Sequence, residues 1–160
     1  MPSAAAIAPS KRRKESGRSF AFIEIYRASP LRRIEFIKAG VPARTFKRFA
    51  VELDVDQKTL IHALSLKTAT VNKKAAADKP LSTDESERVV GLAKLVGQLE
   101  SMIEESGELE GFDATAWLSR WLREPLPTLG GGKPIDLLGT MEGQALVSRS
   151  LAQIQSGAFA

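Results

Sequence analysis

The sequence predicts an all-α protein, and three observations carry that expectation. Ala and Leu dominate while aromatic residues make up only 6%, a composition that favours helices. Apolar residues recur at helical spacing in several stretches, most extensively at Val89, Leu92, Ala93, Val96, Leu99 and Ile103. The periodic stretches are also punctuated by capping residues: Ser, Asp or Thr in front, and Gly or Pro behind.

Residues 1–19 combine Ala, Ser and Pro with Lys11-Arg12-Arg13-Lys14 and Arg18. With few large apolar groups to bury, this is expected to be a disordered basic arm. The run Phe20 to Tyr26, FAFIEIY, reads as a strand or a helix start, and periodicity does not decide between them. Ser29-Pro30 is a cap followed by a first helical residue. The helix it opens places Leu31, Ile34 and Ile37 on one face and stops at Gly40. Pro42 restarts a helix whose apolar stripe is Phe46, Phe49, Ala50 and Leu53.

Asp56 caps the next short helix, with Leu60, Ile61 and Leu64 facing inward. After Ser65-Leu66-Lys67, Thr68 is the expected cap of another. Two short helices, a tight turn and buried aliphatics at Ile61, Leu66 and Val71 make a helix-turn-helix pattern. The leading part of a second helix in this motif meets base edges. Here that surface is Lys67, Thr68, Thr70, Asn72, Lys73 and Lys74. Lysines pair with phosphates or guanine, Asn bonds adenine through two hydrogen bonds, and Thr serves either purpose. Ser65 stands where a glycine is usual, which leaves a helical hairpin without DNA contact as the competing reading.

Ser82 and Glu85 form a capping box for a helix expected to run to Ser106, before Gly107. Asp113 caps a helix carrying Trp117, Leu118, Trp121 and Leu122 on one face, ended by Pro125. The stretch from Leu126 to Val147, LPTLGGGKPIDLLGTMEGQALV, interrupts the helical pattern with Pro127, three glycines at 130–132, Pro134 and Gly139. Ile135, Leu137 and Leu138 are apolar and have no use in a linker, so a shaped loop is expected. Thr140 caps the final helix, with Val147, Leu151 and Ile154 as its stripe and Gly157 as its stop. Organisation follows: a basic arm at 1–19, a helix-turn-helix region at 20–80 and a second helical region at 81–160.

Charge divides along the same line. Residues 1–80 hold 17 Lys/Arg against 7 Asp/Glu, and residues 81–160 hold 6 against 12. A basic front points to a polyanion and an acidic rear to a different partner. No run approaches the roughly 20 apolar residues of a membrane span, and the N-terminus lacks the charged lead of a signal peptide. With no cysteine, disulfides and thiolate metal sites are excluded, and a cytoplasmic protein is expected. Catalysis finds no support. His62, the one histidine, lies among expected core positions without a nucleophile beside it. Gly131-Gly132-Lys133 fails as a phosphate loop, because Pro127 and Pro134 occupy the positions of its required Gly and Ser/Thr. Neither a cofactor nor a metal is expected.

The C-terminal half resembles the Xre/MbcA/ParS-type antitoxins. The resemblance is carried by Ala116-Trp117-Leu118, Pro125-Leu126, Leu129-Gly130-Gly131, Pro134-Ile135-Asp136-Leu137-Leu138, Thr140, Gly143, Val147, Leu151, Ile154 and Gly157-Ala158-Phe159. Gly40-Val41-Pro42-Ala43, the helix-turn-helix pattern and Leu81 to Arg88 extend it to about residue 30. It implies a type II antitoxin with a Cro-like helix-turn-helix region followed by a helical toxin-binding region at 81–160. The implied partners are a RES-domain toxin that depletes NAD, promoter DNA and a second copy of the chain. Leu126, Leu129, Gly130, Gly131, Asp136, Leu138, Gly157, Ala158 and Phe159 are then the expected toxin-binding residues. The competing expectation is a stand-alone transcriptional regulator whose C-terminal half serves dimerisation.

Overall fold

The computed structural model describes residues 21–107 and 111–156. The basic arm at 1–19, Phe20, Glu108, Glu110 and the tail Gly157, Ala158 and Phe159 lie outside the described residues. Among the described residues eight α-helices follow one another and no strand occurs. They are α1 (Phe22–Arg27), α2 (Pro30–Ala39), α3 (Ala43–Leu53), α4 (Gln57–Ala63), α5 (Thr68–Ala76), α6 (Thr83–Ser106), α7 (Ala114–Trp121) and α8 (Met141–Ser156). Two single 3-10 turns, Pro127–Leu129 and Pro134–Leu137, lie between α7 and α8. Within the ambiguous run, Phe22 to Tyr26 are therefore helical.

The capping residues fall where the sequence places them. Ser29 accepts from the Arg32 amide at 3.1 Å, Asp56 from Thr59 at 3.1 Å and Asp113 from Ala116 at 3.1 Å. Ser82 and Glu85 form the full capping box, at 3.1 and 2.8 Å. Thr140 accepts from Gly143 at 3.0 Å. One expectation fails: Thr68 is the first residue inside α5, and Lys67, in extended backbone, takes the cap position without a side-chain bond. The buried Leu66 fixes the turn's register and leaves Lys67 at the boundary.

Helix α6 is the axis of the molecule. It buries Val89, Val90, Leu92, Ala93, Leu95, Val96 and Leu99, so its middle is covered on most sides rather than along one stripe. Helices α1, α2, α7 and α8 all pack on it, α1 most extensively. Helices α3, α4 and α5 add Phe46, Phe49, Leu53, Leu60, Ile61, Leu64 and Val71 to one continuous apolar core that runs into α7 and α8. The two halves thus share an interior.

Helix α2 departs from expectation. None of its residues is fully buried, and Leu31 and Ile34 are 74% and 45% exposed. Its apolar face points largely outward; Ile37 alone of the three leans on the core. Polar bonds hold the helix instead, with Arg33 donating to the carbonyls of Ile25 and Tyr26 at 3.2 and 3.0 Å and to that of Ala28.

The front helices are stapled to α6 at its N-terminus. An isolated bridge joins Pro42 and Pro80. The Val41 amide donates to the buried Ser86 hydroxyl at 2.8 Å. Lys74 reaches Glu85 at 3.0 Å. Partial burial raises the Glu85 carboxyl, but the Ser82 amide and the Lys74 ammonium outweigh it and hold it below the ordinary carboxylate value. A carboxylate depressed in this way stabilises the fold fully above its unfolded value and loses that contribution as pH falls through the folded one. Glu85→Gln is expected to cost about 1 kcal/mol at pH 7. The gap between the urea midpoints of the two proteins should close as pH falls below 4.5; a gap that persists into acid would place the stabilisation elsewhere.

Candidate functional site

Helices α4 and α5 with the turn between them form the helix-turn-helix. The turn depends on Ser65, which adopts the left-handed backbone (φ 56°) that glycine ordinarily supplies. The departure in residue type does not change the conformation. Its neighbours hold it there: the Leu66 amide bonds the Ile61 carbonyl at 2.9 Å, and the Ser65 amide bonds His62 at 3.0 Å. Along α5, Lys67, Asn72 and Lys73 are exposed, Thr68 and Thr70 are half-buried, and Val71 and Ala75 anchor the helix inward. Lys74 stands apart from this set, because its ammonium is turned back onto Glu85. Sequence reading also missed Arg44, which donates to the Ala75 carbonyl at 2.8 Å and pairs with Asp78 at 3.5 Å, closing the far end of α5.

The glycine-rich segment is a closed loop, not a linker. The Leu126 amide donates to Gly132 at 3.0 Å, and the Leu126 carbonyl accepts from Gly131 at 2.9 Å. Gly130 and Gly131 sit at φ 66° and 89°, conformations that a side chain would strain. Beyond the loop, the Ile135 amide returns to the Leu122 carbonyl at 2.9 Å, docking the segment on the end of α7. Gly130, Gly131 and Asp136 are exposed, and Leu126 and Leu129 are half-buried. Leu138 is different: it is 0% exposed. It fills the core beneath the loop and offers no surface to a partner, so its expected contact role becomes one of support.

The two sites meet. A cleft of about 500 Å³ is lined by Thr59, His62 and Ser65 on the helix-turn-helix side and by Asp136, Gly139 and Thr140 on the loop side. His62, expected among core positions, is exposed here. Above it, the Arg88 guanidinium of α6 donates to the carbonyls of Leu64 (2.7 Å) and Ser65 (3.4 Å). The Gln144 amide of α8 in turn donates to the carbonyls of Arg88 (3.1 Å) and Leu138 (2.9 Å). Gln144 is 5% exposed and comes so close to α6 that a Cβ on Gly91 would lie 1.7 Å from its Oε1. Neither Arg88 nor Gln144 has a sequence signature for this role: Arg88 acts on carbonyls more than 20 residues back, and Gln144 joins the nearby Leu138 carbonyl to the distant one of Arg88. Among the described residues no group of three or more His, Cys, Asp and Glu is arranged to hold a metal.

Comparison with known proteins fits this geometry. The Xre-like antitoxin helix-turn-helix domain matches residues 32–94, and the Xre/MbcA/ParS C-terminal toxin-binding domain matches residues 110–157. The Prs ADP-ribosylating antitoxin of Sphingobium sp. (strain YBL2) is 68% identical over 151 residues, which span 92% of this chain and 95% of that one. The chain belongs to the Xre-type antitoxins. The antitoxin Xre of Pseudomonas putida is 30% identical over 88 residues, 55% of this chain and 50% of its own. This antitoxin therefore carries a helix-turn-helix domain followed by a toxin-binding domain, and the closed loop from Leu126 to Gly132 falls within the second. No helix of the described residues is long and apolar enough to cross a membrane.

The relay gives the antitoxin's two domains a shared dependence. Gln144→Met keeps the length of the side chain but removes its N–H donors, leaving the Leu138 carbonyl short of a partner and the Arg88 carbonyl with its intrahelical bond alone. The expected loss is about 1–3 kcal/mol in chemical denaturation, with faster amide hydrogen exchange in both the α4–α5 turn and the segment 134–140. Faster exchange on one side only would show that the relay does not span the two domains.

Proposed function

We propose that this antitoxin neutralises a RES-domain toxin that consumes NAD, by laying the surface from Leu126 to Asp136, together with Gly157, Ala158 and Phe159, over the toxin's catalytic cleft. The observation that carries the reading is the closed loop itself: exposed glycines and Asp136 held in a fixed shape above the buried Leu138. A preformed loop loses little freedom on binding, which favours affinity. The acidic balance of residues 81–160 suits a partner whose pocket must accept the pyrophosphate of NAD. The name of the Sphingobium relative speaks of ADP-ribosylation, a transfer that also draws on NAD chemistry. The antitoxin acts by occupying a site in the cytoplasm, not by catalysis.

Deletion of residues 157–160 is expected to abolish neutralisation while leaving the melting transition within a few degrees of the parent. Co-expression of that truncation with the toxin, reading growth, cellular NAD and ADP-ribosylated protein in parallel, tests the proposal. Growth with the truncation would remove the tail from the plug. Toxicity with neither NAD loss nor protein modification would remove the assignment of the toxin's chemistry.

We also propose that Lys67, Thr68, Thr70, Asn72 and Lys73 hold promoter DNA and repress the antitoxin's own operon, with Lys74 serving α5 rather than the duplex. The exposed Lys67 at the start of α5 and the exposed Lys73 on it, neither with an ion pair among the described residues, support this, as does the left-handed turn at Ser65. A two-fold pair of chains would place two such helices on a palindromic site, and the outward Leu31 and Ile34 of α2 supply apolar surface for that pairing. Lys67→Ala with Lys73→Ala is expected to weaken promoter binding and to flatten its salt dependence, since each lost phosphate contact removes about 0.9 from the slope of log affinity against log salt. An unchanged gel shift would refute the DNA face. Sedimentation showing one chain per palindromic duplex would refute the pairing.

A further inference from the structure

The acidic half of the chain holds only six Lys and Arg residues, yet two of them gather at one place. Lys94 of α6 and Arg149 of α8 join Arg33 of α2 around a cleft of about 420 Å³, whose walls also include Tyr26, Gln98 and Ser148. No carboxylate lines it. Like charges collected without a counter-charge repel one another, and an anion between them would relieve that repulsion.

Here the structure fixes one of the three cations. Nη1 of Arg33 is fixed by the carbonyls of Ile25, Tyr26 and Ala28 at the end of α1. Its other nitrogens have no hydrogen-bond partner among the described residues. Lys94 is half-buried and Arg149 exposed, and neither has a hydrogen bond or ion pair there. Partial burial, and then the Arg33 charge beside it, push the Lys94 ammonium below the ordinary lysine range. Gln98 and Ser148 are already bonded to each other, at 3.0 and 2.8 Å, and line the same cleft.

We propose that this cleft binds a small phosphate-bearing molecule of nucleotide size. Its volume lies within the roughly 300–1,000 Å³ of small-molecule sites. A guanidinium held by one nitrogen keeps a second edge for two-point bonding to phosphate, and a lysine adds a point charge. The partly exposed Tyr26 offers an aromatic face beside them. Helix α5 contributes nothing to the lining, so this site is separate from the proposed DNA face, and the inference does not rest on the identity of the toxin.

Isothermal titration of the full chain with pyrophosphate, AMP and inorganic phosphate in low salt tests the site. One pyrophosphate per chain is expected, weakening at least tenfold as salt is raised tenfold, with AMP binding more tightly than inorganic phosphate. Lys94→Met with Arg149→Gln should weaken binding at least tenfold, whereas Lys67→Ala with Lys73→Ala should leave it unchanged. If the Lys94 variant fails to fold, Arg149→Gln alone, at an exposed side chain, carries the same comparison. Absence of heat at millimolar pyrophosphate overturns the proposal, as does a loss that follows Lys67 and Lys73 or a pyrophosphate signal displaced by short duplex DNA. Equal affinity for AMP and inorganic phosphate overturns the nucleotide assignment.

Discussion

The organisation of this antitoxin depends on how two side chains satisfy carbonyl groups that the backbone leaves open. The last carbonyls of a helix have no partner within it. At the end of α4 those orphans include Leu64 and, in the turn, Ser65, and both are met by Arg88 of α6. At the other site the Leu138 carbonyl is met by Gln144 of α8, whose amide also takes the carbonyl of Arg88. A cation at a helix C-terminus is favoured by the helix dipole as well as by the bonds it donates. The helix-turn-helix and the loop are therefore anchored to the same two helices, and each is oriented by groups that also serve the other.

This arrangement explains why α6 is buried on most sides. A helix that only backed one domain would show a single stripe. Here its Val90 and Leu95 are covered along with Val89, Leu92 and Val96, because the front helices, α7 and α8 all lean on it. The Lys74–Glu85 pair and the Val41–Ser86 bond attach the front at the N-terminal end of α6, while Gln98 and Ser148 join α8 further along. Such dispersed attachment makes the shared core rigid without requiring any single bond to be strong.

How much of this was legible in the sequence follows from the range of each interaction. Caps at Ser29, Asp56, Ser82, Asp113 and Thr140 are bonds over three residues, so local pattern suffices to place them. The closed loop was legible for the same reason: its breakers and its apolar residues lie within one short stretch. The exposure of Leu31 and Ile34 was not legible, because periodicity says which residues share a face and not whether another element covers it. Lys73 and Lys74 read alike in sequence; only the distant Glu85 separates them. Arg88, the bond from Gln144 to the Arg88 carbonyl, and the gathering of Arg33, Lys94 and Arg149 depend on partners far along the chain, and local pattern carries no trace of them.

The same distinction bears on Ser65. A residue type that disfavours the left-handed conformation costs roughly 1–2 kcal/mol there, and in isolation it argues against the turn. The turn forms because Leu66 is buried, the amides of Ser65 and Leu66 return to α4, and Arg88 takes the carbonyls of Leu64 and Ser65. Tertiary bonds from α6 thus hold a local conformation that the local sequence opposes. It follows that the helix-turn-helix of this antitoxin is not an independent module: its geometry depends on α6, and α6 in turn is held by the helix that closes the toxin-binding domain.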